Sequence, residues 1–169
     1  GPSPSEEATS EESTSGEPSD KPPVLEKDAS GRDLKTADFF SAPEGWRDGR
    51  FDVAGKKALT GVAGPLTSCQ DEASDDTSTI ELRLANNFSN ISMKVGQGDD
   101  SESSDSVVSV KLLGNGKYID TVKVPFNQVN TLKAPVADVN ALKIQVWMGG
   151  DDCESGKRVD AVLTELRVE

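Results

Sequence analysis

The chain has 169 residues, 34% of them hydrophobic, which is enough for one ordinary domain with a segment to spare and too little for two comfortable cores. Its formal net charge of -12 argues against nucleic acid and other polyanions as partners, leaving cations, neutral glycans and basic protein surfaces. Histidine is absent, which removes Ser-His-Asp triads, Cys-His pairs and imidazole metal ligands together.

The first residues, "GPSPSEEATSEESTSGEPSDKPP", are Ser, Glu, Pro and Thr with almost nothing apolar. Burial there cannot offset the entropy of ordering the chain, so residues 1–30 are expected to form a disordered acidic stalk and 33–169 a folded domain. Gly1-Pro2 has the look of a cleaved-tag remnant. Such a stalk suits an extracellular or cell-surface domain, held to a membrane only through an anchor upstream of residue 1. Cys69 and Cys153 lie too far apart for CxxC chemistry, leaving a long-range disulfide or two free thiols. The stalk, which suits an oxidising compartment, favours the disulfide.

From Asp33 onward short apolar alternations separated by turn residues predict strands. "TADFF" has room for one helical turn. "STIELRL" places Ile80, Leu82 and Leu84 on one face, and "NISMKVG" does the same with Ile91, Met93 and Val95. "SVVSVKLLGNGKYIDTVKVPF" reads as a hairpin turning at Gly114-Asn115-Gly116, because Asn-Gly accepts the positive φ of a tight turn. "LKIQVWM" aligns Leu142, Ile144, Val146 and Met148, and "DAVLTELRV" is expected to put Val162, Leu166 and Val168 on one side. Seven to nine such strands predict an all-β fold, an antiparallel β-sandwich of jelly-roll type.

Three groups of side chains are candidates for chemistry. Asp99, Asp100 and Asp105 in "GQGDDSESSD", with Ser101 and with Asp151 and Asp152 of "GGDDCESGK", offer oxygens for Ca²⁺, although the spacing is not that of an EF-hand. If the cysteines are bonded, Asp71 and Asp75 join Asp151 and Asp152 in one crowded region. The alternative is that all these acids line solvated turns. Trp46, Trp147 and Tyr118 are candidate sugar platforms, because a flat ring covers the apolar face of a pyranose. Trp147 is opposite in parity to Val146 and Met148 and so faces out of the core. Both tryptophans could instead cap the edges of the sandwich. Paired carboxylates for glycoside hydrolysis prove little in a chain with 30 Asp and Glu, and an enzyme is not expected.

Read together, "DLKTADFFSAPEGW", "IELRLANNFSNISMKVGQGDDS", "VSVKLLGNGKYIDTVKV" and "APVADVNALKIQVW" make residues 33–169 similar to NPCBM-type carbohydrate-binding modules. These occur at the ends of glycoside hydrolases and in secreted or membrane-anchored actinobacterial proteins. The resemblance implies a jelly-roll sandwich in which the "GQGDD" segment is a turn after a core strand. It also implies a non-catalytic module that recognises glycan or cell-envelope polysaccharide. The chain departs from the pattern at Asn115-Gly116, where Asp-Gly is usual, and at "RVDAVLTELRVE", which lacks the family's aromatic-rich end. The competing expectation is a protein-interaction or sensory ectodomain of a membrane-anchored signalling protein, one that has lost sugar binding.

Overall fold

In the computed structural model, which describes residues 22–74 and 77–169, the apolar alternations of the sequence become two packed antiparallel sheets. The strands are β1 (Arg47–Val53), β2 (Lys56–Leu66), β3 (Ser78–Arg83), β4 (Asn90–Gln97), β5 (Val107–Gly114), β6 (Lys117–Pro125), β7 (Val129–Pro135), β8 (Ala141–Gly149) and β9 (Val159–Val168). One sheet has the order β1-β2-β9-β4-β7 and the other β3-β8-β5-β6. Period-two alternation sends Ile80, Leu82, Ile144, Val146 and Leu112 inward from the four-stranded sheet to meet Ile91, Met93, Val95 and Leu163 from the other, all essentially inaccessible to solvent.

The β5–β6 hairpin turns where the sequence predicts, with Asn115 and Gly116 both at positive φ (50° and 84°). The last strand differs from expectation. A bulge at Glu165, with φ of 50°, resets the alternation between Leu163 and Leu166. Ala161 and Leu163 therefore face the core together with Leu166 and Val168, while Val162 faces the other way. There it joins Val53 and Ala63 in a small second cluster on the outer surface of the five-stranded sheet. Val53 lies directly over Gly96, where a β-carbon would overlap its methyl group.

The residues expected to end the stalk include two that pack into the sandwich core. Leu25 and Ala29 are buried, and the Leu25 N–H donates to the Arg83 carbonyl at 2.8 Å. One isolated leucine in a polar stretch gives no periodicity to read, yet it fills the end of the sandwich. The chain then runs past the end of β9, where Gly31 and Leu34 donate to the carbonyls of Val168 and Leu166. The helical turn expected in "TADFF" is a 3-10 turn at Thr36–Asp38, followed by Phe40 and Ser41 bonded to Glu81 along the free edge of β3. Residues 1–21, which hold most of the predicted stalk, lie outside the described residues.

Cys69 and Cys153 form a disulfide. Cys69 bridges Met148 beside the end of β8, and the Gln70 N–H donates to the Met148 carbonyl at 2.8 Å. The bond thus fastens the β2–β3 connection to the β8–β9 loop.

Candidate functional site

Strand register decides what the outer face of the four-stranded sheet displays. Ser109 pairs with Trp147 on one side and with Lys123 on the other, so these three form one row across β8, β5 and β6. The next row runs Thr79, Gln145, Lys111 and Thr121. The third holds Glu81, Lys143, Leu113 and Tyr118.

Trp147 faces outward as its parity predicts, but it is only 6% exposed. The cover comes from the disulfide-anchored connection, which passes so close to β8 that a β-carbon at Gly149 would overlap the Gln70 carbonyl oxygen. What remains open is a pocket of about 230 Å³ bounded by Gln70, Asp71, Ser109, Lys123 and Trp147. An indole wall beside an amide, a hydroxyl, a carboxylate and an ammonium is the mixture that seats a sugar ring by its apolar face and its hydroxyls. Sequence parity finds Trp147. The pocket's other wall depends on a pairing between Cys69 and Met148 that no local pattern announces.

The other two aromatic candidates are placed elsewhere. Tyr118 is 60% exposed near the tip of the β5–β6 hairpin, with the Lys111 ammonium 5.7 Å from its ring centroid. Rise and strand spacing put its Cα about 16 Å from that of Trp147, at the opposite corner of the face. Trp46 is half-buried against the core, its ring on Gly64, where a β-carbon would overlap it. Its indole N–H is buried and meets no acceptor among the described residues. The ring thus packs against β2 and the core, and Trp46 is not among the residues that line the Trp147 pocket.

The acidic loop after β4 is organised by arginine. Arg158 pairs with the buried carboxylate of Asp160, which Arg47 also approaches at 3.5 Å, and its other guanidinium nitrogen donates to the Asp100 carbonyl at 3.1 Å. The hydrogen bond to Asp160 holds the Arg158 pKa above its ordinary value. Backbone bonds complete the ties: Glu102 N–H to the Arg158 carbonyl and Arg158 N–H back to the Glu102 carboxylate. Asp99 accepts from the Gly55 N–H through its side chain, and buried Gln97 donates to the carbonyls of Ser106 and Val124.

Asp105, Asp151 and Asp152 are exposed turn residues. Among the described residues no group of three His, Cys, Asp or Glu side chains is arranged to hold a metal ion, and of the Ca²⁺ candidates the Asp99 side chain is engaged by the Gly55 N–H. Asp75 lies outside the described residues.

A larger hollow, about 370 Å³, lies over β1, β2 and β9 beside the residue 33–35 segment. It contains no aromatic side chain, and its carboxylates are engaged: Asp33 with Arg167, Asp48 with Thr36 and Glu165 with Lys94. The pocket beside Trp147 is the better candidate.

No protein-family model matches this chain, and no curated protein matches it in sequence. Solved structures do match in fold. The CBM51 module of a Clostridium perfringens GH95 protein, in complex with methyl-galactose, aligns over 73% of this chain and 81% of its own at 14% identity and a TM-score of 0.51. The Clostridium perfringens ZmpB structure comprising the M60 catalytic domain with CBM51-1 and CBM51-2 aligns over 79% of this chain at 16% identity and a TM-score of 0.54. The ZmpB CBM51-2 and INT structure, in complex with GlcNAc, aligns over 76% at 16% identity and a TM-score of 0.50. This chain spans 15% and 30% of those two longer chains, respectively. The fold is therefore the β-sandwich of carbohydrate-binding modules.

Proposed function

We propose that this chain is a non-catalytic carbohydrate-binding module of the NPCBM type, working outside the cell on an acidic stalk and recognising a glycan or cell-envelope polysaccharide. The observation that carries the reading is the Trp147 pocket, with Ser109 and Lys123 in register beside it, on a sandwich of carbohydrate-binding-module fold. A disulfide suits the oxidising compartment. No helix among the described residues is long and apolar enough to cross a membrane.

The test is a ¹⁵N-HSQC titration with soluble mono- and oligosaccharides, with calcium and again with chelator. The reading expects saturable shifts at the Trp147 indole, Ser109, Lys123 and Gln70 that survive chelation. Silence at those positions across neutral and acidic saccharides would overturn it.

A second reading is favoured by one observation: Tyr118 is the one large aromatic side chain that is mostly exposed among the described residues. A surface so poor in open rings fits a protein-interaction or sensory ectodomain. Saccharide silence combined with shifts on adding a partner protein would establish it in place of the first.

A further inference from the structure

Net charge alone argues against a polyanionic ligand, but the strand residues in register on the outer face of the four-stranded sheet carry more positive than negative charge. Lys123, Lys111 and Lys143 occupy successive rows on β6, β5 and β8, which places them on one diagonal across the face. Diagonal neighbours on paired strands are about 7–8 Å apart, so the three form an evenly spaced stripe. It begins beside the Trp147 pocket, which Lys123 lines.

None of the three forms an ion pair among the described residues. The lysines that do, Lys57 with Asp52 and Lys94 with Glu165, belong to the other sheet. The Lys111 ammonium lies over the Tyr118 ring instead of against a carboxylate. Glu81, on the same face, is bound to Arg83, whose guanidinium also stacks on Phe40, so that pair contributes no net charge. Among the described residues, Asp71 lines the same pocket as Lys123.

We infer that this face takes an anionic polysaccharide, one carrying a carboxylate on successive sugar units, with one ring at the Trp147 pocket and the acid groups along the lysine diagonal. The inference rests on the carbohydrate-binding reading and adds the ligand's charge. A neutral glycan would leave three like charges facing one another with no counter-charge. A single small anion would use one of them. A repeating acid answers the whole row, and the aromatic and hydroxyl lining of the pocket favours sugar over a phosphate backbone, for which stacked bases would need more open rings than this face has.

The experiment compares galacturonate oligosaccharides with the corresponding galactose oligosaccharides, by calorimetry and HSQC, at low and high salt, on the wild type and on K111Q/K143Q. The expected result is about tenfold tighter binding of the uronate at low salt. Added salt and the double substitution should each remove that advantage, because exposed charge pairs are screened. Equal affinity for the uronate and neutral oligosaccharides, or an advantage untouched by K111Q/K143Q, overturns the inference and leaves the carbohydrate reading standing. Duplex DNA binding as tightly as the uronate would also overturn it. Failure of every saccharide overturns both.

Discussion

The Arg158 guanidinium sits against the Asp160 carboxylate, and of the two it is the acid that is buried, with 4% of its side chain exposed against 33% for the arginine. A buried carboxylate is tolerable only while its counter-charge is present, and the remaining neighbour, Arg47, lies farther off at 3.5 Å. R158A should therefore cost about 2–4 kcal/mol, below the figure for a fully buried pair because Arg158 is partly solvated. Urea unfolding measures it. A loss under about 0.5 kcal/mol would mean that Arg47 alone can satisfy Asp160.

The same geometry makes an expectation about calcium. Arginine and backbone N–H groups already engage Asp160 and Asp99, and among the described residues no three acids converge as a metal-holding group. The melting temperature should not move between calcium and chelator at constant ionic strength. A rise on adding calcium would show a cation site that these contacts do not reveal.

Gly149 and Gly116 offer a matched pair of substitutions. A methyl group at Gly149 collides with the Gln70 carbonyl, whereas at Gly116 nothing lies within 4 Å and only the φ of 84° opposes it. G149A should cost about 2–3 kcal/mol and push the loop off the Trp147 pocket, while G116A should cost about 1 kcal/mol and leave the pocket intact. Thermal melts report the costs, and Trp147 indole shifts report the pocket.

Removing the disulfide as C69S/C153S releases a loop closed across a sequence separation of 84. The loop-entropy model assigns that closure about 4.5 kcal/mol. Urea midpoints of the double variant and of the reduced wild type should agree. A loss below about 1 kcal/mol would mean that the loop contacts of Gln70 and Gly156 already hold these segments together.

Asp38 sets an acid-sensitive contribution. Burial is the largest single influence on it and raises its pKa. The hydrogen bonds from the Arg32 side chain and the Lys35 N–H, with the charges of both residues, outweigh burial and bring the pKa below the ordinary 3.8. A pKa depressed on folding contributes stability that is present above the unfolded value and is lost as pH falls through the folded one. D38N should lower the melting temperature at neutral pH and converge with the wild type in strong acid. Parallel curves across the whole pH range would remove Asp38 from the acid response.

How much of this was readable beforehand depends on distance along the chain. Ile80, Leu82 and Leu84 were legible because alternation is local, and the hairpin was legible because Asn115-Gly116 is a turn signal by itself. Val162 was misplaced because the Glu165 bulge inverts parity without leaving a mark in composition. Leu25 was missed because one apolar residue makes no pattern. Trp147 could be oriented by parity but not given its cover, since the covering segment lies about 80 residues upstream and is held there by Cys153. The lysine stripe was invisible for a similar reason: its members come from three strands, and only the register aligns them.

Leu25 meets β3 at Arg83, and Gly31 meets β9 at Val168, whereas Trp147 lies near the far end of β8, which starts at Ala141. Both ends of the folded chain thus emerge from one pole of the sandwich, and the pocket opens toward the other. Along β8 the six residues from Ala141 to Trp147 set the pocket about 20 Å from the pole where Leu25 and Val168 lie, whereas Lys143 is close to that pole. Under the proposed reading, a sugar chain seated at the pocket would run along the lysine diagonal back toward the pole that carries Leu25 and Val168.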